Sequence, residues 1–399
     1  MSLNISLSGL NASSKELNTI SNNIANVSTT GFKESRTEFS SVYSGGQSNG
    51  VEVVGISQNF EVNGQISGTG RALDMALSGS GFFVVEDGKG QTSYTRNGIF
   101  NMDSNGYIVS NSNAKLQGYS VDGDNNLQQG TVGPIKISTQ SQAAKATTNA
   151  EFVANLDARS EVIDSAVTPF DPTDSATYTN SYTTPTYDSL GNPHTVTQYF
   201  VKSSDNQWDV YAVVDGDATL PMTKSNTLNF DESGKLTTGN TYTVSTPVSG
   251  ADDLNIAMKL DGVTQFGNNF VVSTNNPDGY TSGDYVDMRV ESDGSIYANY
   301  SNGQTQLQGQ VVLANFAAPS ELQQTNNTSW VQSFGSGVPI IGTAGTSQFG
   351  ELTSSALEAS NVDLTQSLVS MMTAQRNYQA NTKAISTDSQ LTQALFQAM

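Results

Sequence analysis

The chain has 399 residues, of which 37 are Asp or Glu and 17 are Lys or Arg, giving a formal net charge of −20. That length holds two or three domains with cores of their own, and the acidity excludes the basic patches that nucleic acid and anionic membrane surfaces require. There is no cysteine, which removes disulfides, thiol catalysis and cysteine-ligated zinc. Only 14% of the residues are charged and 36% are hydrophobic, so most of the polarity is neutral. With its many Gly and Asn turns, the sequence reads as β-rich and folded, not disordered.

The N-terminal segment reads as a helix. Between Leu3 and Val27 it contains no Pro and one Gly, Gly9. Apolar residues recur by sevens at Leu3, Leu10, Leu17 and Ile24, and a second row holds Ser6, Ser13, Ile20 and Val27. This is a heptad pattern half filled by serine, with Gly31 expected as the helix stop. The start, Met1-Ser2-Leu3-Asn4-Ile5, lacks a basic stretch and a continuous apolar run, so no cleavable signal peptide is expected. No window approaches the ~18 apolar residues of a membrane span.

The middle reads as β structure. Phe82-Phe83-Val84-Val85 is an apolar run, and turns are expected at Asp87-Gly88, Asn97-Gly98, Asn105-Gly106 and Asp122-Gly123. A hairpin is predicted from Thr195–Lys202, a polar turn at 203–207 and Trp208–Val214. Val286, Met288 and Val290 alternate with polar residues, Asp293-Gly294 turns the chain, Ile296–Tyr300 returns it, and Val311-Val312-Leu313 forms another strand core. The stretch from about Lys145 to Gly283 is rich in Asp, Thr, Ser and Asn, as expected of an exposed domain inserted into its neighbour.

The C-terminal segment mirrors the first. Ser360 and Asp363 have capping-box spacing, and no Gly or Pro interrupts Asn361–Met399. Leu364, Leu368, Met371, Tyr378 and Ile385 share one face, continued by Leu391, Leu395 and Phe396. The expected fold is therefore α+β and mainly β, with terminal helices pairing as a coiled coil and two β-rich domains, the outer inserted into the inner. Charges are scarce on both helices: Lys15 and Glu16 on the first, Arg376, Lys383 and Asp388 on the second. A polar but uncharged far face points to helices surrounded by other helices. A lone helix with one apolar stripe does not offset its own ordering cost, so assembly is expected to order the ends.

No motif carries catalysis. His194 is the one histidine and follows Asn192-Pro193, which places it in a turn and excludes a cluster of histidine ligands. Asp122, Asp124 and Asn126 have the opening spacing of a calcium loop, but Leu127 and Gly133 stand where Gly and Glu are needed. Gly68-Thr69-Gly70 and Gly79-Ser80-Gly81 lack a third glycine and a following helix pattern. Carboxylates are plentiful, and the sequence marks out no pair among them. No cofactor, metal or catalytic residue is assigned.

Several stretches resemble one family. Asn22-Asn23-Ile24-Ala25-Asn26-Val27-Ser28-Thr29-Thr30-Gly31-Phe32-Lys33 is similar to the N-terminal signature of bacterial flagellar rod and hook axial proteins. Ala356–Leu364, with Asn361 and Asp363, and Ala374–Asn381, with Gln375 and Arg376, resemble their C-terminal signature. Leu73–Leu77 followed by Gly81-Phe82-Phe83 resembles the start of their core β domain. The resemblance implies an inner coiled-coil axial domain at 1–30 and 363–399, linkers at 31–70 and 343–362, a core β domain at 71–145 and 284–342, and an outer domain at 146–283. The outer domain favours a hook subunit over the shorter rod subunits.

Family membership also implies a homopolymeric tube and contact with rod, hook-cap and hook-junction proteins. It further implies passage through the flagellar export apparatus. On that footing Gln366, Ser370, Thr373 and Asn377, placed opposite the apolar face of the last helix, are expected to line the channel, since a neutral polar wall does not grip exported chains. Alternatives from the same residues are a distal rod or hook-junction subunit, a secreted β-rich adhesin, and a two-carboxylate glycoside hydrolase. The adhesin is disfavoured by the lack of an aromatic platform beyond Trp208 and Trp330.

Overall fold

The computed structural model describes residues 2–44, 47–123, 125–217, 223–346 and 348–398. The chain divides into two units, the first from Met1–Thr139, Val286–Asn299 and Thr305–Met399, the second from Gln140–Tyr285 and Tyr300–Gln304. As expected, the fold is mainly β with a helix at either end, and in chain order the second unit is inserted into the first.

The first unit opens with α1, Ser2–Ala25, and closes with α2, Leu364–Ala398, which packs along it. After α1 come two long antiparallel strands, β1 (Ser35–Ser44) and β2 (Gln47–Gln58), whose ribbon also lies against α1. The sheet of this unit is built on Thr305–Asn315, which pairs antiparallel with Lys115–Val121, Phe82–Glu86 and Ile340–Thr343 at different points of its length. Phe82–Glu86 in turn pairs with Thr92–Thr95. The run Phe82–Val85 is buried throughout, as its unbroken apolar pattern requires. Phe82, Tyr94, Val312, Phe316 and Trp330 form an aromatic core with edge-to-face contacts at 4.8–6.1 Å. Asp122 closes a tight turn by accepting a hydrogen bond from the Asn126 amide (2.8 Å); Asp124 lies outside the described residues.

The second unit is a pair of sheets packed face to face. One is a meander of Asn180–Tyr187, Pro193–Ser204, Gln207–Val214, Asn226–Phe230 and Leu236–Thr238. The other centres on Asn149–Asp157, with Leu254–Lys259 and Thr264–Phe266 parallel to it and Val271–Pro277 antiparallel. The predicted hairpin is present, two residues longer at its start and turning at Asn206, which takes the left-handed conformation an asparagine tolerates (φ 58°). Alternate residues of both sheets, among them Phe152, Phe200, Trp208, Val210, Ile256 and Met258, fill the core. The Trp208 indole N–H donates to Gln265 Oε1 (2.7 Å), so this fully buried ring leaves no polar atom unpaired.

His194 is not in a turn. It sits in the strand Pro193–Ser204, with Nδ1 2.6 Å from Asp215 and Nε2 3.5 Å from the buried carboxylate of Asp188. The hydrogen bond to Asp215 raises the imidazole pKa above 6.5, and Asp188 adds to the effect. Burial alone would raise the Asp215 carboxyl, but hydrogen bonds from His194 and Thr195 bring it below its ordinary value. A raised histidine stabilises the fold fully below pH 6.5 and loses that contribution as pH climbs through its folded value. Denaturant melts of the full chain are therefore expected to show lower stability at pH 8 than at pH 6. His194→Gln is expected to flatten that slope, and a slope unchanged in the variant refutes the assignment.

Candidate assembly interface

The helix pair is built on small residues. On α1, Ala12, Ser13, Thr19, Ile20 and Asn23 are buried; on α2, Ser367 and Ala374 are buried and Met371, Asn381 and Ile385 half-buried. A Cβ added at Gly9 would stand 2.9 Å from the Asn381 amide, so at this point the helices touch through a glycine. Interaxial distance follows side-chain size at the contact, and Gly9 adds no side chain of its own.

This changes the expected orientation of both helices. Leu10, Leu17 and Ile24 are only half-buried, whereas the serine-bearing row turns inward, with Ser13 and Ile20 buried and Ser6 and Val27 half-buried. The side chain of Leu3 lies outside the described residues. On α2, Leu364 (43%) and Leu368 (46%) are exposed, and Tyr378 is exposed as well. Gln366 and Ser370, expected opposite the packing face, instead border a cleft of about 720 Å³ with Glu16, Ile20, Glu34 and Phe60. Asn377 borders a second groove beside Gly9, Ala12, Phe39 and Val51. Of those four residues only Thr373 is exposed and away from both grooves, its hydroxyl bonded to Val369 O (3.0 Å) within its own helix. The apolar stripe drawn from 3/4 spacing was wide enough to admit either rotation; small-residue contact decides between them.

The signature residues form the joint between the helices and the β structure. Asn23 holds Ser35 from both sides, its Oδ1 accepting from the Ser35 N–H (2.9 Å) and its Nδ2 donating to the Ser35 carbonyl (2.8 Å). Asn361 accepts from the Glu34 N–H (2.7 Å) and donates to the carbonyls of Asn59 and Val62 (both 3.0 Å). Asn26 donates to Asn22 Oδ1 (2.6 Å) and accepts from Thr29 (3.1 Å), closing the end of α1. That helix ends at Ala25, before Gly31. Gly31 serves differently: at φ +69°, where a Cβ would lie 2.5 Å from the Arg96 backbone, it lets the chain pass and donates to the Glu358 carbonyl (2.8 Å). Phe32 is buried beside it in sequence. Asp363, not Ser360, caps α2, its carboxylate accepting from the Gln366 N–H (3.1 Å). Gln375 and Arg376 are exposed, and among the described residues their side chains make no hydrogen bond or ion pair.

Sequence reading missed the centre of this joint. The Lys33 ammonium and the Arg96 guanidinium, both essentially inaccessible, share the one carboxylate of Glu358, at 2.8 and 3.4 Å. Lys33 also donates to Val62 O (3.0 Å), Arg96 to Gly79 O (2.7 Å), and the Gly64 N–H to Glu358 (3.0 Å). Arg96 stacks over Phe82, 5.4 Å from its ring centre. Burial lowers the pKa of Lys33, with the Arg96 charge acting the same way and Glu358 opposing; burial lowers Arg96 too. Three segments far apart in sequence are thus clamped at one buried charge cluster. Lys33 and Glu358 lie inside the two signature stretches, which was the available signal; nothing marked Arg96.

Comparison with known proteins follows this anatomy. Family models match at residues 3–33 (flagella basal body rod protein), 76–151 (flagellar hook protein FlgE/F/G D1 domain), 155–280 (flagellar basal body protein FlaE D2 domain) and 353–398 (flagellar basal body rod FlgEFG protein C-terminal). The flagellar hook protein FlgE of Salmonella typhimurium is 42% identical over 99% of both chains, and that of Escherichia coli 40% identical over the same share. A crystal structure of the Helicobacter pylori flagellar hook protein FlgE2 superposes with a TM-score of 0.56 at 14% identity, covering 73% of this chain and 100% of that one, a likeness of fold.

Proposed function

Because the chain belongs to the flagellar hook protein family, we propose that it is the structural subunit of a flagellar hook. It polymerises into a hollow, flexible tube that transmits motor torque to the filament, conducts exported subunits, and catalyses nothing. The observation that carries this reading is the match to hook proteins along the full length of both chains, terminal helices and inserted unit included.

Residues 1–30 and 363–399 form the axial domain, 31–70 and 343–362 the linkers, 71–145 and 284–342 the core β domain, and 146–283 the outer domain. Thr373, neutral and outward on α2, faces the channel. Leu364 and Leu368, with Leu10, Leu17 and Ile24, supply the apolar surface that neighbouring subunits cover, which is why a helix pair of one chain leaves them partly open. The subunit leaves the cell through the flagellar export apparatus, and in the finished structure it contacts the rod, hook-cap and hook-junction proteins. Electron microscopy tests the proposal. Concentrated purified chain is expected to form curved hollow tubes, and cells lacking the gene to carry basal bodies without hooks. A chain that stays monomeric, in a strain whose hooks survive its deletion, overturns it.

A further inference from the structure

Within the polymer reading, the subunit carries two surfaces of opposite character in its first unit. On α2, Leu364, Leu368, Met372 and Arg376 follow one another at i, i+4 spacing and form a single exposed ridge. The cations Arg376 and Lys383 make no ion pair among the described residues, and neither does Lys15 on α1, in a chain whose acids outnumber its bases by 37 to 17. Arg376 is thus a cation without a partner at the end of an apolar ridge, on an acidic protein.

The cleft beside the base of α1 is the converse. Glu16, Glu34 and Glu61 line it together with Ile20 and Phe60. Of the cleft's charges only Arg36 is basic, and Glu38 already holds it (2.8 Å). Glu16, Glu34 and Glu61 have no cationic partner among the described residues, and burial raises the Glu16 carboxyl, the condition an incoming cation relieves.

We propose that the Leu364–Arg376 ridge of one copy docks into this cleft of a second copy. Leu368 and Met372 would lie against the half-buried Phe60, and the Arg376 guanidinium would be forked between Glu16 and Glu34. The occupant is a second copy because the two surfaces complement each other in charge and in their apolar centres. They are also different patches, so the contact is head-to-tail, the class of interface from which an open helical tube can grow.

Charge reversal in cells tests it, with hooks counted by electron microscopy and the critical concentration measured on purified protein. Arg376→Glu and Glu34→Arg are each expected to raise the critical concentration about tenfold or more and remove hooks, with monomer circular dichroism unchanged; the double variant is expected to return near wild type. Glu151→Arg, an equal change of charge on the exposed surface of the other unit, is expected to assemble normally. The cysteine-free background adds a direct readout: copies with Arg376→Cys and copies with Glu34→Cys, mixed and treated with a short bismaleimide, are expected to cross-link to each other within polymers, since two positions joined by a full-length ion pair stand too far apart for a disulfide. Normal assembly of Arg376→Glu, or a double variant as defective as the single ones, overturns the contact while leaving the hook reading intact. Absence of hooks in wild type overturns both.

Discussion

Glu358→Gln is expected to destabilise the first unit by about 3–5 kcal/mol, the cost of stranding buried charge. The substitution keeps shape and hydrogen-bonding reach but removes the one anion between two cations that are 0% and 1% exposed. In a unit of this size the loss corresponds to roughly 10 °C in melting temperature. Lys33→Met is expected to cost less, because it leaves Glu358 and Arg96 as a balanced pair, and the Val62 carbonyl keeps its bond from Asn361. The control is Glu38→Gln at the Arg36 pair, where the side chains are 78% and 42% exposed and water screens the interaction; no shift is expected there. Thermal melts of the three variants decide the matter. Equal costs for Glu358→Gln and Lys33→Met would falsify the excess-charge account. The cluster also joins the exit of α1 to the entry of α2, so Glu358→Gln is expected to impair assembly at temperatures where the β core is still folded.

Ala374→Asp is expected to separate the helices and abolish polymerisation, while Thr373→Leu, one residue earlier, assembles. Ala374 is 1% exposed in the α1–α2 contact, and a carboxylate there has neither room nor a counterion. Thr373 faces outward and bonds only its own helix. The helices depend on each other: α1 has 24 residues and α2 35, both rich in Ser, Thr and Asn, and such sequences do not hold a helix in water without packing. Far-ultraviolet circular dichroism is expected to lose most of its helical signal in Ala374→Asp. Fluorescence of Trp208 and Trp330, both fully buried in β cores, is expected to stay native. A variant that keeps both its helical signal and its polymers would place α2 in another rotation. Leu in place of Thr373 adds an apolar group to the proposed channel wall, so the finished tube is expected to pass later subunits more slowly.

The sequence by itself determined the two terminal helices, the β middle with its inserted unit, the Thr195–Val214 hairpin and the family, because each rests on local periodicity, turn residues or contiguous signatures. It also marked Asn23, Gly31, Asn361 and Asp363, although not what they hold. The tertiary structure alone decided which stripe of each helix turns inward. The expected seam held both rows, Leu10, Leu17 and Ile24 together with Ser6, Ser13, Ile20 and Val27, and periodicity does not say which of the two lies deeper. Close approach at Gly9, Ser13 and Ala374 selects the second, since two backbones come nearest where side chains are smallest. The same holds for the charge cluster and for His194. Glu358 meets Lys33 across 325 residues and Arg96 across 262, and His194 is clamped by Asp188 and Asp215 from two separate turns. Pairings of that kind leave no periodic trace, because which carboxylate neutralises which cation is set by where the strands bring them and by the free-energy cost of burying either one alone.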